Sequence, residues 1–192
     1  MVSYNLENLK ILLVEDNGHW QKIVRTLFIA ISAKNVRVVG DCQSALMFLA
    51  EEPPDIVICD WMMSEMSGIE LVRRLRDEKH SPNPFIPIIM LTAHTERHRI
   101  LEARDAGVTE VLTKPVSAKD LYEHIVSIVE KPRQFVRAEN YFGPDRRRKV
   151  DPNYKGPERR NTDDGEPADS GSDKETGQVA EAAELEKSSV AE

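Results

Sequence analysis

The sequence predicts an α/β domain built as a doubly wound five-stranded parallel sheet, with a disordered C-terminal tail after it. Three observations carry this reading. Short runs rich in β-branched residues alternate with amphipathic stretches through residue 131, as expected of a parallel sheet with helices on both faces. The 192 residues suffice for one domain of ordinary size plus an extension, and not for two. Beyond Lys131-Pro132 aliphatic residues become sparse and charge dominates, so that stretch cannot bury enough apolar surface to fold alone.

The elements follow in order. Ile11 to Val14 reads as the first strand, and Gly18 to Ala33 as a helix. In that helix Trp20, Ile23, Val24, Leu27, Phe28 and Ile31 recur at helical spacing and leave Gln21, Lys22 and Arg25 outward. Val36 to Val39, Ile56 to Cys59, Ile86 to Leu91 and Val108 to Leu112 supply four more strands, each bounded by polar or turn residues. Helices fill the gaps. The last begins at the capping residue Ser117, with Asp120 three positions on and Leu121, Ile125, Ile128 and Val129 along one face.

Composition narrows the function classes. No run of roughly 18 apolar residues occurs, and the opening MVSYNLENLK lacks the regions of a signal peptide, so no membrane span and a cytoplasmic location are expected. Cys42 and Cys59 sit in apolar stretches without CxxC spacing, which reads as two reduced core thiols rather than a disulfide or zinc site. The net charge of −7 divides into −4 for residues 1–131, +5 for 132–160 and −8 for 161–192. The chain is therefore expected to be a mildly acidic domain to residue 131, an arginine-rich basic segment over 132–160 and an acidic tail over 161–192.

In an open parallel sheet, ligands gather at the carboxyl ends of the strands. Here those ends carry Glu15 and Asp16, then Asp60, then Thr92, then Lys114 beside Pro115. Three carboxylates in one crevice repel one another unless a cation joins them, and an all-oxygen site with few ligands suits Mg²⁺. One carboxylate oxygen could then act as a nucleophile toward a phosphoryl group, while the hydroxyl and the ammonium hold phosphoryl oxygens. Any one of these residues could be an ordinary polar strand end; their joint occurrence in order is the signal.

These residues sit in the segments LLVEDN (12–17), IVICDWMM (56–63), Met66 with Gly68, IMLTA (89–93), AGV (106–108) and LTKP (112–115). From Leu9 to about Lys131 the chain thereby resembles the receiver domain of bacterial response regulators, the CheY-like family. The resemblance implies a flavodoxin-like sheet of order 2-1-3-4-5 flanked by five helices. It implies Asp60 as phosphoacceptor, Mg²⁺ held by Glu15, Asp16, Asp60 and the Met62 carbonyl, Thr92 on a phosphoryl oxygen and Lys114 paired with the phosphate. It further implies a cis Lys114-Pro115 bond and a histidine kinase or phosphotransfer protein as partner. No enzyme activity is expected beyond self-phosphorylation from small donors and self-dephosphorylation. Two residues depart from the family pattern: Ser64 stands where proline is common, and Val111 where many members carry the aromatic residue whose inward swing reports phosphorylation. A pseudo-receiver scaffold that needs no phosphate is the alternative they raise.

No DNA-binding output domain is read after the receiver, so output through protein contacts is expected. The extension contains a repeat: Tyr141 to Arg147 and Tyr154 to Arg160 share the pattern Tyr-x-Gly-Pro-acid-Arg-Arg, 13 positions apart. Each unit has the parts for reading guanine, since arginine forks onto O6 and N7 or stacks on a base, a carboxylate accepts from N1 and N2, and tyrosine offers a stacking face. The doubled pattern resembles the arginine-rich tail of the Cle class of CheY-like proteins. That resemblance implies cyclic di-GMP as ligand, through Tyr141, Asp145, Arg146, Arg147, Tyr154, Glu158, Arg159 and Arg160 of the two units, and a flagellar motor switch protein as partner; Arg148 with Asp151 joins them because it fits the Arg-x-x-Asp pattern found at other cyclic di-GMP sites. A nucleic-acid-binding adaptor is the competing reading, set back by the acidic residues inside each unit. His94 and His98 read as surface residues, and Trp61 as a partly exposed residue of the active loop.

Overall fold

In a computed structural model of the chain, residues 4–93, 95–139 and 141–146 are described. Five strands form the sheet: β1 (Ile11–Val14), β2 (Val36–Val39), β3 (Ile56–Asp60), β4 (Ile88–Thr92) and β5 (Glu110–Thr113). Their order is β2-β1-β3-β4-β5, and every pairing is parallel. Between and after them lie α1 (Gly18–Ala30), α2 (Cys42–Glu51), α3 (Gly68–Leu75), α4 (Arg97–Ala106) and α5 (Ala118–Glu130). This is the doubly wound arrangement expected from the alternation of elements.

Strand parity divides the core in two. Leu12, Val14, Val57, Cys59, Ile88 and Met90 pack with residues of α2, α3 and α4, while Ile11, Leu13, Ile56, Ile58, Ile89 and Leu91 pack with α1 and α5. Side chains at successive positions are buried on opposite faces, which is why β1, β3 and β4 are apolar almost throughout.

The element ends have local causes. Asn17, Asp41, Ser67 and Ser117 cap α1, α2, α3 and α5, and Ser67 with Glu70 completes a capping box. α1 stops three residues before Ala33, because Ser32 turns into the left-handed region at φ 58° and the Ala33 N–H donates back to the Phe28 carbonyl at 3.0 Å. β4 begins at Ile88 rather than Ile86; Pro87 has no N–H to pair, and its carbonyl accepts from Val57 at 3.0 Å. β5 begins at Glu110 because the Val108 N–H is spent on the Ala103 carbonyl, closing α4 beside the left-handed Gly107.

The structure departs from expectation after α5. Instead of disorder from residue 132, Phe135–Ala138 (β6) and Tyr141–Pro144 (β7) pair antiparallel. This segment does not stand alone. Phe135 and Phe142 each lie 5.2 Å, centroid to centroid, from Phe85 in the α3–β4 loop, and the Arg76 guanidinium lies 5.1 Å over the Phe135 ring. Gly143 packs so closely on the α4–β5 turn that a Cβ there would stand 3.0 Å from Gly107 Cα. Arg133 pairs with Glu110 at 3.0 Å, and Arg137 pairs with Glu78. The hairpin therefore borrows receiver surface to bury what it could not bury alone. The tail beyond residue 146 lies outside the described residues.

Candidate functional site

The carboxyl ends of β1, β3, β4 and β5 converge as expected. Glu15, Asp16 and Asp60 bring carboxylate oxygens within 4.8 Å of one another. Glu15 is fully buried: its Oε1 accepts the Asn17 N–H at 3.1 Å and its Oε2 the Lys114 ammonium at 2.9 Å. Asp16 is exposed, and its Oδ2 accepts the Ser64 N–H at 2.9 Å, tying the β3–α3 loop to the end of β1. Asp60 is nearly buried; its Oδ1 accepts the Trp61 N–H at 2.9 Å and lies 2.9 Å from Lys114 Nζ.

One ammonium thus serves two of three carboxylates. Burial pushes the Glu15 carboxyl above the ordinary carboxylate range, and the Asp60 charge pushes the same way, while the Lys114 hydrogen bond pulls it down. Among the described residues the crevice holds more carboxylates than cations, and its donors are hard oxygens; this fits a divalent cation such as Mg²⁺, which favours carboxylate ligands and retains water.

The frame around the crevice is closely packed. Thr92, the last residue of β4, is buried, and its carbonyl accepts the Lys114 N–H at 2.7 Å. The Lys114-Pro115 bond is cis, as the resemblance implies. Gly68 opens α3 against the back of Asp60, where a Cβ would stand 2.0 Å from the Asp60 carbonyl oxygen, so the position admits no side chain. Met62 stands exposed at the rim.

One tryptophan differs from expectation and the other does more than expected. Trp61 is not a partly exposed loop residue but is buried, because it continues the strand parity of Val57 and Cys59 into the core under α3 and α4. Trp20 packs against the core on the apolar face of α1, as its spacing predicts, and its ring also meets the crevice, with its centroid 4.6 Å from Lys114 Nζ. Val111 is partly buried and packs against the core beneath α4.

The first tail unit lies elsewhere. In β7 the Tyr141 hydroxyl donates to the Pro144 carbonyl at 2.7 Å, and the Arg146 guanidinium stacks 3.9 Å over the Tyr141 ring and reaches Asp105 of α4 at 3.4 Å. The Asp145 N–H donates to the Gln134 carbonyl at 2.7 Å. This cluster adjoins Glu110 and Gly107, at the amino end of β5, whereas Lys114 follows its carboxyl end. The acidic crevice and the first unit thus occupy opposite ends of the sheet. Arg147, Arg148, Asp151, Tyr154, Glu158, Arg159, Arg160 and His94 lie outside the described residues; His98 is exposed on α4.

Residues 11–126 match the family described as response regulator receiver domain. The chain is 34% identical to chemotaxis protein CheY-3 of Vibrio cholerae over 125 residues, 65% of this chain and 95% of that protein. It is 33% identical to chemotaxis protein CheY of Pseudomonas aeruginosa over 123 residues, 64% of this chain and 98% of that one. Among solved structures, Vibrio cholerae chemotaxis protein CheY4 superposes with a TM-score of 0.57 at 27% identity, over 62% of this chain and 98% of that chain. A response regulator receiver domain protein of Clostridium thermocellum gives 0.56 at 26% identity, over 64% and 95%. Among the described residues no helix is long and apolar enough to cross a membrane.

Proposed function

We propose that this chain, which belongs to the response regulator receiver domain family, is a phosphorylation-driven signalling switch in which Asp60 carries the phosphoryl group. The carrying observation is the Asp60 carboxylate set beside Glu15 and Asp16 and held by Lys114 at 2.9 Å. An Asp60 oxygen attacks phosphorus, the bond from phosphorus to the donor's leaving group breaks, and the leaving group departs with the electron pair. Glu15, Asp16, Asp60 and the Met62 carbonyl would hold Mg²⁺, which supplies positive charge against the phosphoryl oxygens. Lys114 and the Thr92 hydroxyl would hold oxygens of the transferred group. A histidine kinase or phosphotransfer protein is the donor. Because relatives are named chemotaxis proteins, output through contact with a flagellar motor switch protein is the proposed consequence.

The test is mass spectrometry of the intact chain after incubation with acetyl phosphate and Mg²⁺. Gain of one phosphoryl group in the wild type and none in Asp60→Asn is expected. A wild type that stays unmodified returns the chain to the pseudo-receiver reading.

A second activity is favoured by a separate observation, the repeated Tyr-x-Gly-Pro-acid-Arg-Arg unit. We infer that the arginine-rich segment binds cyclic di-GMP. The Arg146 guanidinium carbon already lies 3.9 Å over the Tyr141 ring, and a guanidinium plane paired with an aromatic ring is a suitable platform for a purine. Replacing Arg146 and Arg147 by lysine keeps the charge and removes the planar fork, so most affinity in calorimetry should disappear. Retained affinity, or equal binding of any single-stranded RNA with steep salt dependence, identifies a general polyanion binder instead.

A further inference from the structure

The Lys114 ammonium meets Glu15 Oε2 and Asp60 Oδ1, each at 2.9 Å, and the face of Trp20 at 4.6 Å. Its side chain is only 8% exposed, so this is a largely desolvated cation against an aromatic face, where such contacts are strongest. Trp20 belongs to the first turn of α1. Its backbone N–H donates to Asn17 Oδ1 at 3.2 Å, and the Asn17 backbone N–H donates to Glu15 Oε1, so the turn that carries Trp20 is tied to the strand end that carries the acidic cluster, while the side chain packs against the core.

We propose that Trp20 is a positioning residue for phosphoryl transfer, holding the Lys114 ammonium over Asp60 while the charge beneath it changes. The inference rests on the reading of Asp60 as phosphoacceptor. When an Asp60 oxygen becomes bonded to phosphorus, that carboxylate loses its negative charge and the ammonium must follow the charge to a phosphoryl oxygen. A carboxylate at position 20 would compete for the ammonium and repel the incoming phosphoryl group. An aliphatic side chain would fill the space without attracting a cation. An aromatic face attracts it with little directional demand, so Lys114 can slide from carboxylate to phosphoryl oxygen without leaving its support. The ring also covers one side of the ammonium from water.

The experiment compares the full-length wild type, Trp20→Phe and Trp20→Leu with acetyl phosphate and Mg²⁺, following the phosphorylated fraction by mass spectrometry across donor concentrations. Trp20→Leu should lower the rate at saturating donor by about ten-fold, and Trp20→Phe, which keeps a face, by no more than about three-fold. The donor concentration at half-maximal rate should stay the same, because the ring supports Lys114 and not the donor. In the wild type, ring current should move the Lys114 Hε resonances upfield, with the shift absent in Trp20→Leu and reduced in Trp20→Phe. Equal rates in wild type and Trp20→Leu overturn the proposal, as do unshifted Lys114 resonances in the wild type, a measurement that holds even where Trp20→Leu fails to fold. A wild type with shifted Lys114 resonances and no phosphorylation defeats the phosphoacceptor reading, and with it the role given to Trp20, while leaving the contact itself established.

Discussion

At the scale of single residues, Lys114 is the cation on which the crevice depends when no metal is bound. Replacing it with methionine leaves Glu15 and Asp60 buried beside each other with no counter-charge, a change that typically costs about 3 kcal/mol or more. Thermal melts should show Lys114→Met well below the wild type in chelator, with the gap narrowing when Mg²⁺ is added. Equal melting in chelator would mean that the ammonium does not offset the carboxylates. The cysteines give a pH signature of opposite chemistry. Burial, aided by nearby Asp41 and Glu70, pushes the Cys42 thiol up to about 11, while an unfolded thiol titrates near its ordinary value of 9.0. Between those values the unfolded chain has lost a proton that the native chain keeps, so the contribution to stability is full below pH 9 and is lost as pH rises toward 11. Urea midpoints measured across that window should fall more steeply for the wild type than for Cys42→Ala. Parallel slopes would place the thiol in a wetter environment.

At the scale of elements, the sheet and its helices were legible because their signals are local: β-branched runs, caps and helical spacing. Ser67 illustrates how local, since its side chain and that of Glu70 close the start of α3 between them. Ser67→Ala should cost about 1 kcal/mol in chemical denaturation, with the phosphoryl-accepting fold intact. The candidate site was legible for the same reason, each member sitting at a strand end that the pattern locates. Trp20 was not, because helical spacing says which face a residue occupies and not that the face overhangs a neighbouring strand's lysine. The hairpin was hidden for a different reason: Phe135 and Phe142 bury themselves against Phe85 and Arg76, roughly fifty or more residues earlier, and no local window contains both halves. Gly143 tests this packing. A methyl group there would stand 2.7 Å from Tyr141 Oη and 3.0 Å from Gly107 Cα, so Gly143→Ala must lift the hairpin or break the Tyr141 hydrogen bond. Hydrogen exchange at the Tyr141, Phe142 and Asp145 amides should accelerate several-fold in that variant while β1 and β3 stay protected; unchanged exchange would show the hairpin free of the receiver.

At the scale of the whole molecule, the acidic crevice and the described part of the first tail unit lie toward opposite ends of β5. β5 runs from Glu110, where Arg133 fastens the hairpin, to Thr113 beside Lys114, roughly 10 Å of strand at about 3.3 Å per residue. Coupling between the ends needs an element with two packed states, and in many receivers an aromatic side chain at the position of Val111 provides one. Val111 is a branched aliphatic residue already packed against the core beneath α4. It has no ring to swing, and its stiff torsion leaves it few alternative positions. Phosphorylation at Asp60 should therefore reach the tail weakly. Calorimetry of cyclic di-GMP against the full chain, with and without beryllofluoride and Mg²⁺, should give dissociation constants within about two-fold of each other. Thermodynamic reciprocity supplies the check from the other side, because any factor by which the phosphoryl mimic changes nucleotide affinity must equal the factor by which the nucleotide changes affinity for the mimic. Replacing Val111 with tyrosine restores the missing ring, and a coupling that appears only in that variant would locate the break at this position. A coupling of ten-fold or more in the wild type would mean that α4, through Asp105 and its contact with Arg146, carries the signal without an aromatic switch.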